Sequence, residues 1–382
     1  MINHNPDGYH LIDQPHELAA AARQLKKTDE IAFDLEADSM YHFREKVCLI
    51  QIATPDETLV LDPLKLDDLS ALKPVMADPC IRKVLHGADY DIRSLYRDFG
   101  IEVRNLFDTE LASRFLGIRE SGLDAVLQDR FGVCLDKKYQ RKDWSQRPLP
   151  EAMMDYGAGD VHYLLPLAAM LEKELHTKGR LGWVLEECDW LRRVRPPEPN
   201  QAPLFLAFKG AGRLRPRQLA ALESLLQLRR QLAEAKDRPL FKVFSNKSLL
   251  MLATAMPLTP RALEQAAALS PKQIKLHGSA LLRAIRQAQD IPKEKRPVYP
   301  RQKAPRMPAR VPERMTALKT WRDRKAQDLD LDPGLMLSKA LMQAIALRHP
   351  QTLDDLSETP DLRQWRHKAF GREIVDVMQQ VR

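Results

Sequence analysis

The chain has 382 residues, 44% of them hydrophobic and 6% aromatic; at roughly 100 to 200 residues per domain, two or three domains are predicted. No apolar run approaches the roughly 20 residues of a membrane-spanning helix, and the N-terminus lacks the pattern of a secretory signal, so we expect a cytoplasmic protein without a membrane span. The charge is split, because residues 1–200 hold 26 Lys and Arg against 35 Asp and Glu, whereas residues 201–382 hold 34 against 17.

Short β-type runs alternate with helical patterns over the first 190 residues. The runs EIAFDLEA, VCLIQIAT and ETLVLDPL follow one another with turn residues between them, which predicts an antiparallel meander. The runs RKVLHG and NLFD each precede a helical pattern. A further helix, GLDAVLQDRFG, and one long helix from about Pro150 to His176 follow. We therefore predict a mixed α/β domain with helices covering the sheet.

From about Gly210 the periodicity is helical, and this part of the chain repeats itself. The two segments align at an offset of 93 or 94 residues, which pairs Pro239 with Pro333, Pro257 with Pro350 and Gly278 with Gly371. A repeat of this length predicts a duplicated small helical domain. Between the copies, prolines mixed with Lys and Arg predict an extended basic linker. The basic half favours a polyanionic partner such as nucleic acid, and a solvated basic surface is the alternative.

The first candidate site residues lie in the strand EIAFDLEA. Side chains alternate between the faces of a strand, so Asp34 and Glu36 share one face. Two like charges at these positions repel, and burial adds a desolvation cost unless a cation compensates. A hard divalent metal would do so, whereas a solvent-facing acidic edge is the alternative.

Two further stretches contribute candidates. Asp91 falls in the first turn of a helix that follows a strand ending at about His86, where α/β folds place ligands, although an acid there also complements the helix dipole. Tyr156 and Asp160 are four residues apart and share a helix face. Glycines inside that helix cost stability and would permit a close approach of backbone or substrate, or tight packing.

The segment DKKYQRKDWSQRPL is predicted to be a basic loop with aromatic residues. This composition suits phosphate contacts and base stacking, and the alternative is a basic loop whose tryptophan packs in the core. The candidate substrate-binding residues are Lys137, Lys138, Arg141, Trp144 and Arg147, with His86 as a strand-end neighbour.

Taken together, D-x-E, a helix-start aspartate and Y-x-x-x-D resemble the DEDD superfamily of 3′-to-5′ exonucleases in its tyrosine branch. The wider stretches HGADYDIRSLYRDFG, LFDTELASRFLG and DWSQRPLP are similar to the ribonuclease D family and to the exonuclease of the eukaryotic nuclear exosome. The C-terminal duplication resembles the paired HRDC domains of bacterial ribonucleases D. One departure is D-L-E-A at Asp34 to Ala37, where many bacterial members read D-T-E-F; this form of the motif is closer to that of the exosome enzyme.

The resemblance implies an RNase H-like α/β exonuclease domain over residues 1–195 and HRDC-like all-α domains over 205–291 and 312–382, joined by a linker at 292–311. It implies that Asp34, Glu36, Asp91 and Asp160 bind two divalent ions, Mg²⁺ or Mn²⁺, and that Tyr156 orients the attacking water. Coordination chemistry agrees, because carboxylates suit these ions.

The resemblance further implies that the chain hydrolyses RNA from the 3′ end and releases 5′-mononucleotides, with transfer RNA precursors as expected substrates. No obligate protein partner is expected. A DNA-directed 3′-to-5′ exonuclease would use the same acids, and a nucleic-acid-binding protein that has lost catalysis is a third hypothesis.

Overall fold

The computed structural model describes residues 8–198, 202–300 and 308–381. These residues form two compact units. The first unit contains residues 8–37, 46–196 and 308–381, and the second contains residues 38–45, 197–198 and 202–300. Within the described ranges, no helix combines the length and the apolar character that crossing a bilayer requires.

A six-stranded mixed sheet lies at the centre of the first unit. Its strands are β1 His10–Ile12, β2 Glu30–Ala37, β3 Val47–Ala53, β4 Thr58–Leu61, β5 Arg82–Leu85 and β6 Leu106–Asp108. The predicted meander is confirmed, because β2 pairs antiparallel with β3 and β3 pairs antiparallel with β4. The other pairs, β1 with β4, β2 with β5 and β5 with β6, are parallel, so the order is β1-β4-β3-β2-β5-β6.

Helices pack on this sheet, as the fold prediction expects. Among the described residues up to 198, the helices span α1 Pro15–Leu25, α2 Lys73–Met76, α3 Asp89–Phe99, α4 Thr109–Phe115, α5 Leu123–Phe131, α6 Glu151–His162, α7 Leu164–Thr177 and α8 Leu181–Leu191. Helix α6 contacts β2, β3 and β4, while α7 contacts β2 and β5.

The prediction of one long helix from about Pro150 to His176 is wrong. The segment forms two helices, and α6 ends at His162 before α7 begins at Leu164. Pro166 explains the break, since proline has no backbone N–H and its ring clashes with the carbonyl four residues earlier, at His162. Tyr156 and Asp160 both remain in α6, so their shared face is unaffected.

The predicted repeat is confirmed as two copies of the same five-helix arrangement. Corresponding helices begin after the same type of cap, with Ser245 and Ser338 each accepting a backbone N–H, and end at left-handed residues, Met256 and His349. The first copy contains α9 Pro216–Ala235, α10 Leu240–Val243, α11 Asn246–Ala255, α12 Pro260–Gln265 and α13 Pro271–Gln289. The second contains α14 Val311–Asp328, α15 Pro333–Met336, α16 Lys339–Arg348, α17 Leu353–Ser357 and α18 Gln364–Gln380.

The second copy shares a hydrophobic core with the sheet domain. Trp365 on α18 is buried and stacks on Trp183 of α8 with ring centroids 4.7 Å apart. Its indole N–H donates to Glu187, and Glu186 accepts the backbone N–H groups of Gln364 and Trp365. The second copy is therefore part of the same unit as the sheet, which its helical periodicity alone does not indicate.

Replacement of Trp365 by alanine tests this packing. We expect a loss of about 3–5 kcal/mol in the free energy of unfolding of the first unit, because a large buried aromatic side chain is removed. The matched control is Lys272→Ala, 93 residues earlier in the first copy, where the side chain is exposed and the change should stay within about 0.5 kcal/mol. Urea denaturation followed by circular dichroism measures the free energy of unfolding of both variants. Equal losses in the two variants would contradict the packing of Trp365 in the core shared with the sheet.

Candidate functional site

Strand β2 places two of the candidate carboxylates on one face of the sheet. Asp34 lies opposite Gln51 of β3 and Glu36 lies opposite Leu49. Helix α6 covers this face and contributes Asp160. One carboxylate oxygen from each of Asp34, Glu36 and Asp160 lies within 4.8 Å of the other two. The predicted D-x-E pair thus meets the acid of the Y-x-x-x-D motif.

Asp91 approaches the same cluster from the first turn of α3. Its side chain is buried, with 6% exposure, and its carboxylate interacts electrostatically with Asp34 and Glu36. It lies outside the closest group of three oxygens. The structure therefore brings all four predicted acids to one region, with Asp91 at its edge.

Burial raises the pKa of all four carboxyls, and repulsion between them adds to the rise for Glu36, Asp91 and Asp160. For Asp34, desolvation raises the pKa from 3.8 to about 7, against a hydrogen bond from the backbone of Leu35 that lowers it. For Glu36 desolvation again leads, followed by repulsion from Asp34, Asp160 and Asp91, and its pKa lies well above the usual value. The pKa values of Asp91 and Asp160 are raised for the same reasons.

The chemistry of this cluster fits a hard divalent cation. Carboxylate oxygens are the preferred ligands of Mg²⁺ and Mn²⁺. A bound cation would offset the desolvation and repulsion that otherwise oppose ionisation of these groups. Asp34, Glu36 and Asp160 are close enough to share one ion.

Tyr156 adjoins the cluster as a hydrogen-bond donor. Its hydroxyl bonds to Asp160, and burial, followed by the charges of Asp160, Glu36 and Asp34, raises its pKa. The phenol therefore stays protonated at neutral pH and donates to the carboxylate. Its ring packs against Tyr139 and Trp144, with centroids 5.9 and 6.1 Å away.

Helix α6 comes close to the sheet because of Gly157. A Cβ atom at this position would lie 2.5 Å from Nε2 of Gln51 and 3.1 Å from Cδ2 of Leu49. Both distances are shorter than side chains tolerate without rearrangement. Tight packing against β3 thus accounts for this glycine and sets the depth at which Tyr156 and Asp160 meet β2.

A cleft of about 520 Å³ opens on the cluster. His86 lines it and bonds through Nδ1 to the hydroxyl of Thr109 at 2.9 Å, while that hydroxyl donates to the carbonyl of Leu85. Burial lowers the pKa of His86 to about 4, so the imidazole is neutral. The other lining side chains include Asp34, Glu36, Glu110, Asp124, Lys137, Gln140, Tyr156 and Asp160.

The predicted basic loop divides into an outward and an inward part. Lys137 lines the cleft and pairs with Asp124 at 2.8 Å. Lys138 is exposed and lies 5.0 Å from the ring of Tyr139, and Arg141 is exposed as well. Lys138 and Arg141 thus reach the solvent, whereas Lys137 borders the cleft in an ion pair with Asp124.

Trp144 and Arg147 instead point inward. The tryptophan is only 1% exposed and packs with Tyr156. The guanidinium of Arg147 forms two bonds of 2.7 Å with Asp62 and donates to the carbonyls of Cys48 and Trp144. Their placement favours the alternative interpretation of the loop, in which the tryptophan belongs to the core, and gives both side chains a role in holding the loop.

One important residue of the site was missed by the sequence reasoning. Asp108 accepts the backbone N–H groups of Gly87 and Ala88, both at 2.9 Å, and also caps α4 through Glu110 and Leu111. It thereby fixes the turn that precedes α3 and Asp91. The sequence does contain a feature that predicts this role, because Asp108 stands between a strand and a helix, where aspartate is a typical N-cap residue.

Comparison with known proteins places this geometry in a family. A family profile described as a 3'-5' exonuclease matches residues 9–176, and one described as an HRDC domain matches residues 218–285 and 312–378. Ribonuclease D of Escherichia coli (strain K12) is 32% identical over 290 residues, which are 76% of this chain and 77% of that protein. The chain belongs to the ribonuclease D family.

A solved ribonuclease D supports the same assignment at the level of structure. The crystal structure of Escherichia coli RNase D has a TM-score of 0.72 and 28% identity, and the match covers 98% of this chain and 99% of that one. Exosome complex component 10 of Mus musculus is 34% identical over 292 residues, which are 74% of this chain. The chain spans about a third of the length of these exosome relatives, 33% for the mouse protein.

The carboxylate cluster predicts a characteristic effect of divalent cations on stability. In the folded protein the pKa of Asp34 is about 7, above its usual value of 3.8, so burial opposes ionisation of this carboxyl. The free energy of unfolding of the cation-free protein should therefore fall as the pH rises from 3.8 to about 7. At pH 7.5 we expect Mn²⁺ to raise the melting temperature. Asp34→Asn should melt higher than wild type without cation and should lose most of the Mn²⁺ effect.

Thermal unfolding with Mn²⁺ or EDTA measures both effects. The exposed acid Asp67 supplies a matched control, since Asp67→Asn removes one charge away from the cluster. A full Mn²⁺ response in Asp34→Asn would rule out a cation site at this carboxylate.

Proposed function

We propose that this chain is a divalent-metal-dependent 3′-to-5′ exoribonuclease that releases 5′-mononucleotides. The observation that carries the proposal is the convergence of Asp34, Glu36 and Asp160 at a cleft, with Asp91 beside them. The four carboxylates would hold two ions, Mg²⁺ or Mn²⁺. When bound, such ions lower the pKa of water and neutralise charge that develops on a phosphodiester during attack.

The protein side chains have separate tasks in this hydrolysis. Attack of water forms a new bond to phosphorus and breaks the bond to the 3′ oxygen, which leaves with a proton as a 3′-hydroxyl. Tyr156 cannot act as the base, because its raised pKa keeps it protonated. Its hydroxyl donates to Asp160, and its oxygen would accept a hydrogen bond from the attacking water and so orient that water. Neutral His86 borders the same cleft and can hydrogen-bond the substrate.

Relatives favour RNA over DNA as the substrate. The E. coli protein of similar structure is described as an exoribonuclease involved in structured RNA processing. Precursors of transfer RNA are structured RNAs with 3′ extensions, and we include them among the proposed substrates. Lys137 in the cleft lining and the exposed Lys138 and Arg141 of the same loop would pair with RNA phosphates. Trp144 and Arg147 would support the loop that carries these cations.

The decisive assay compares RNA and DNA of matched sequence, each with a 3′ tail on a hairpin. We expect the RNA to shorten one nucleotide at a time from the 3′ end in Mg²⁺ or Mn²⁺, with 5′-mononucleotides as products. EDTA should stop the reaction, and Asp160→Asn should abolish it while circular dichroism stays unchanged. Preferential shortening of DNA would favour a DNA exonuclease, and binding without shortening would favour a nucleic-acid-binding protein.

Removal of the Tyr156 hydroxyl tests its task separately. Tyr156→Phe keeps the ring that packs against Tyr139 and Trp144. We expect kcat to fall by about 10²-fold or more, as for loss of a positioned hydrogen-bonding group, while KM for RNA changes little. Tyr139→Phe, which alters a neighbouring ring outside the acidic cluster, is the control. Near-normal turnover in Tyr156→Phe would refute the orienting role.

A further inference from the structure

Gln51 is a buried amide next to the carboxylate cluster that the mechanism above does not use. It lies in the middle of β3 and is fully buried, with 0% exposure. Neither Oε1 nor Nε2 has a hydrogen-bond partner among the described residues. Buried polar side chains nearly always have partners, so an amide without one in a core strand calls for an explanation.

The surroundings of this amide point to the cluster. Gln51 is the cross-strand partner of Asp34, and directly opposed side chains project from the same face of a sheet. Its amide also lies against Gly157, where the absence of a Cβ leaves it room. Asp160 is three residues beyond Gly157 in α6, on the same helix face. The amide is thus enclosed by the strand that bears one acid and the helix that bears another.

We propose that Gln51 is a positioning residue whose side-chain NH₂ group donates to the carboxylate of Asp34 in the cation-bound protein. This inference rests on the proposed divalent-cation site. An ionised carboxylate accepts bonds only, and a bond from a fixed donor holds its plane so that the other oxygen faces the ion. Asp160 already has such a donor in Tyr156. Each aspartate of the pair would then have its own neutral donor.

The close contact at Gly157 fits this role of Gln51. A larger residue there would overlap Nε2 of Gln51, since even a Cβ would lie only 2.5 Å away. The glycine therefore lets the helix approach the sheet while the amide keeps its place opposite Asp34. A plain apolar residue at position 51 would pack in the same space but would leave Asp34 without this donor.

Gln51→Met tests the inference, because methionine keeps the length of the side chain and removes both polar atoms. Without cation we expect the variant to melt at or above the wild-type temperature, because a buried amide without partners is removed. The Mn²⁺ concentration that gives the half-maximal melting shift should rise about 10- to 100-fold, the usual effect of losing a residue that orients a metal ligand. At subsaturating Mn²⁺, kcat should fall while KM for RNA stays within twofold.

Leu49→Met is the matched control, since Leu49 also contacts Gly157 from β3 and carries no donor. It should leave the Mn²⁺ midpoint and kcat unchanged. Gln51→Leu is the second variant if Gln51→Met folds poorly, and the same shifts are expected. If the wild type and a folded Gln51 variant respond identically to Mn²⁺, the role of Gln51 is overturned and the cation site is not. Absence of any Mn²⁺ response in the wild type would overturn the cation site and this inference together.

Discussion

The contact between Gly157 and strand β3 is the constraint on which the site depends. Because no side chain separates α6 from Gln51 and Leu49, the helix lies deep enough for Asp160 to meet Asp34 and Glu36 within 4.8 Å. The same approach places Tyr156 beside Asp160. A helix set back by the width of one methyl group would separate the acids of the strand from the acid and the phenol of the helix. Gly157 therefore affects both how closely α6 packs on the sheet and how closely the acidic side chains approach one another.

The close approach of α6 to the sheet lowers the stability of the folded protein around the acidic cluster. Several carboxylates share a buried region. Desolvation raises the pKa of Asp34 to about 7, and mutual repulsion adds to the rise at Glu36, Asp91 and Asp160. The surrounding structure holds the arrangement in place through the mixed sheet, the Asp108 turn and the Arg147–Asp62 pair. A divalent cation held by these carboxylates would offset both costs and would supply positive charge at the cleft.

Local patterns predicted most strands and helices and the faces that the acids share, and they failed where contacts between distant residues decide the structure. The alternation in EIAFDLEA correctly indicated that Asp34 and Glu36 share a face. The spacing of Tyr156 and Asp160 correctly indicated one helix face, although the helix proved shorter than predicted because of Pro166. Composition could not reveal that Trp144 and Arg147 turn inward, since the partner of the arginine, Asp62, lies 85 residues away in sequence. The repeat was readable, but the docking of its second copy depends on Trp365 and Glu187, which meet only after folding.

The sequence by itself determined the strand and helix periodicities, the duplicated helical domain and the set of acids, because each of these is encoded by residues a few positions apart or by a regular offset. Only the tertiary structure decided which acids meet, which cations stay exposed and which amide lies behind the cluster. Those outcomes depend on how closely α6 packs on the sheet and on pairs from separate elements, such as Gln51 with Gly157. Close packing depends on the shapes of both surfaces in contact, so it can be assessed only when the positions of both surfaces are known.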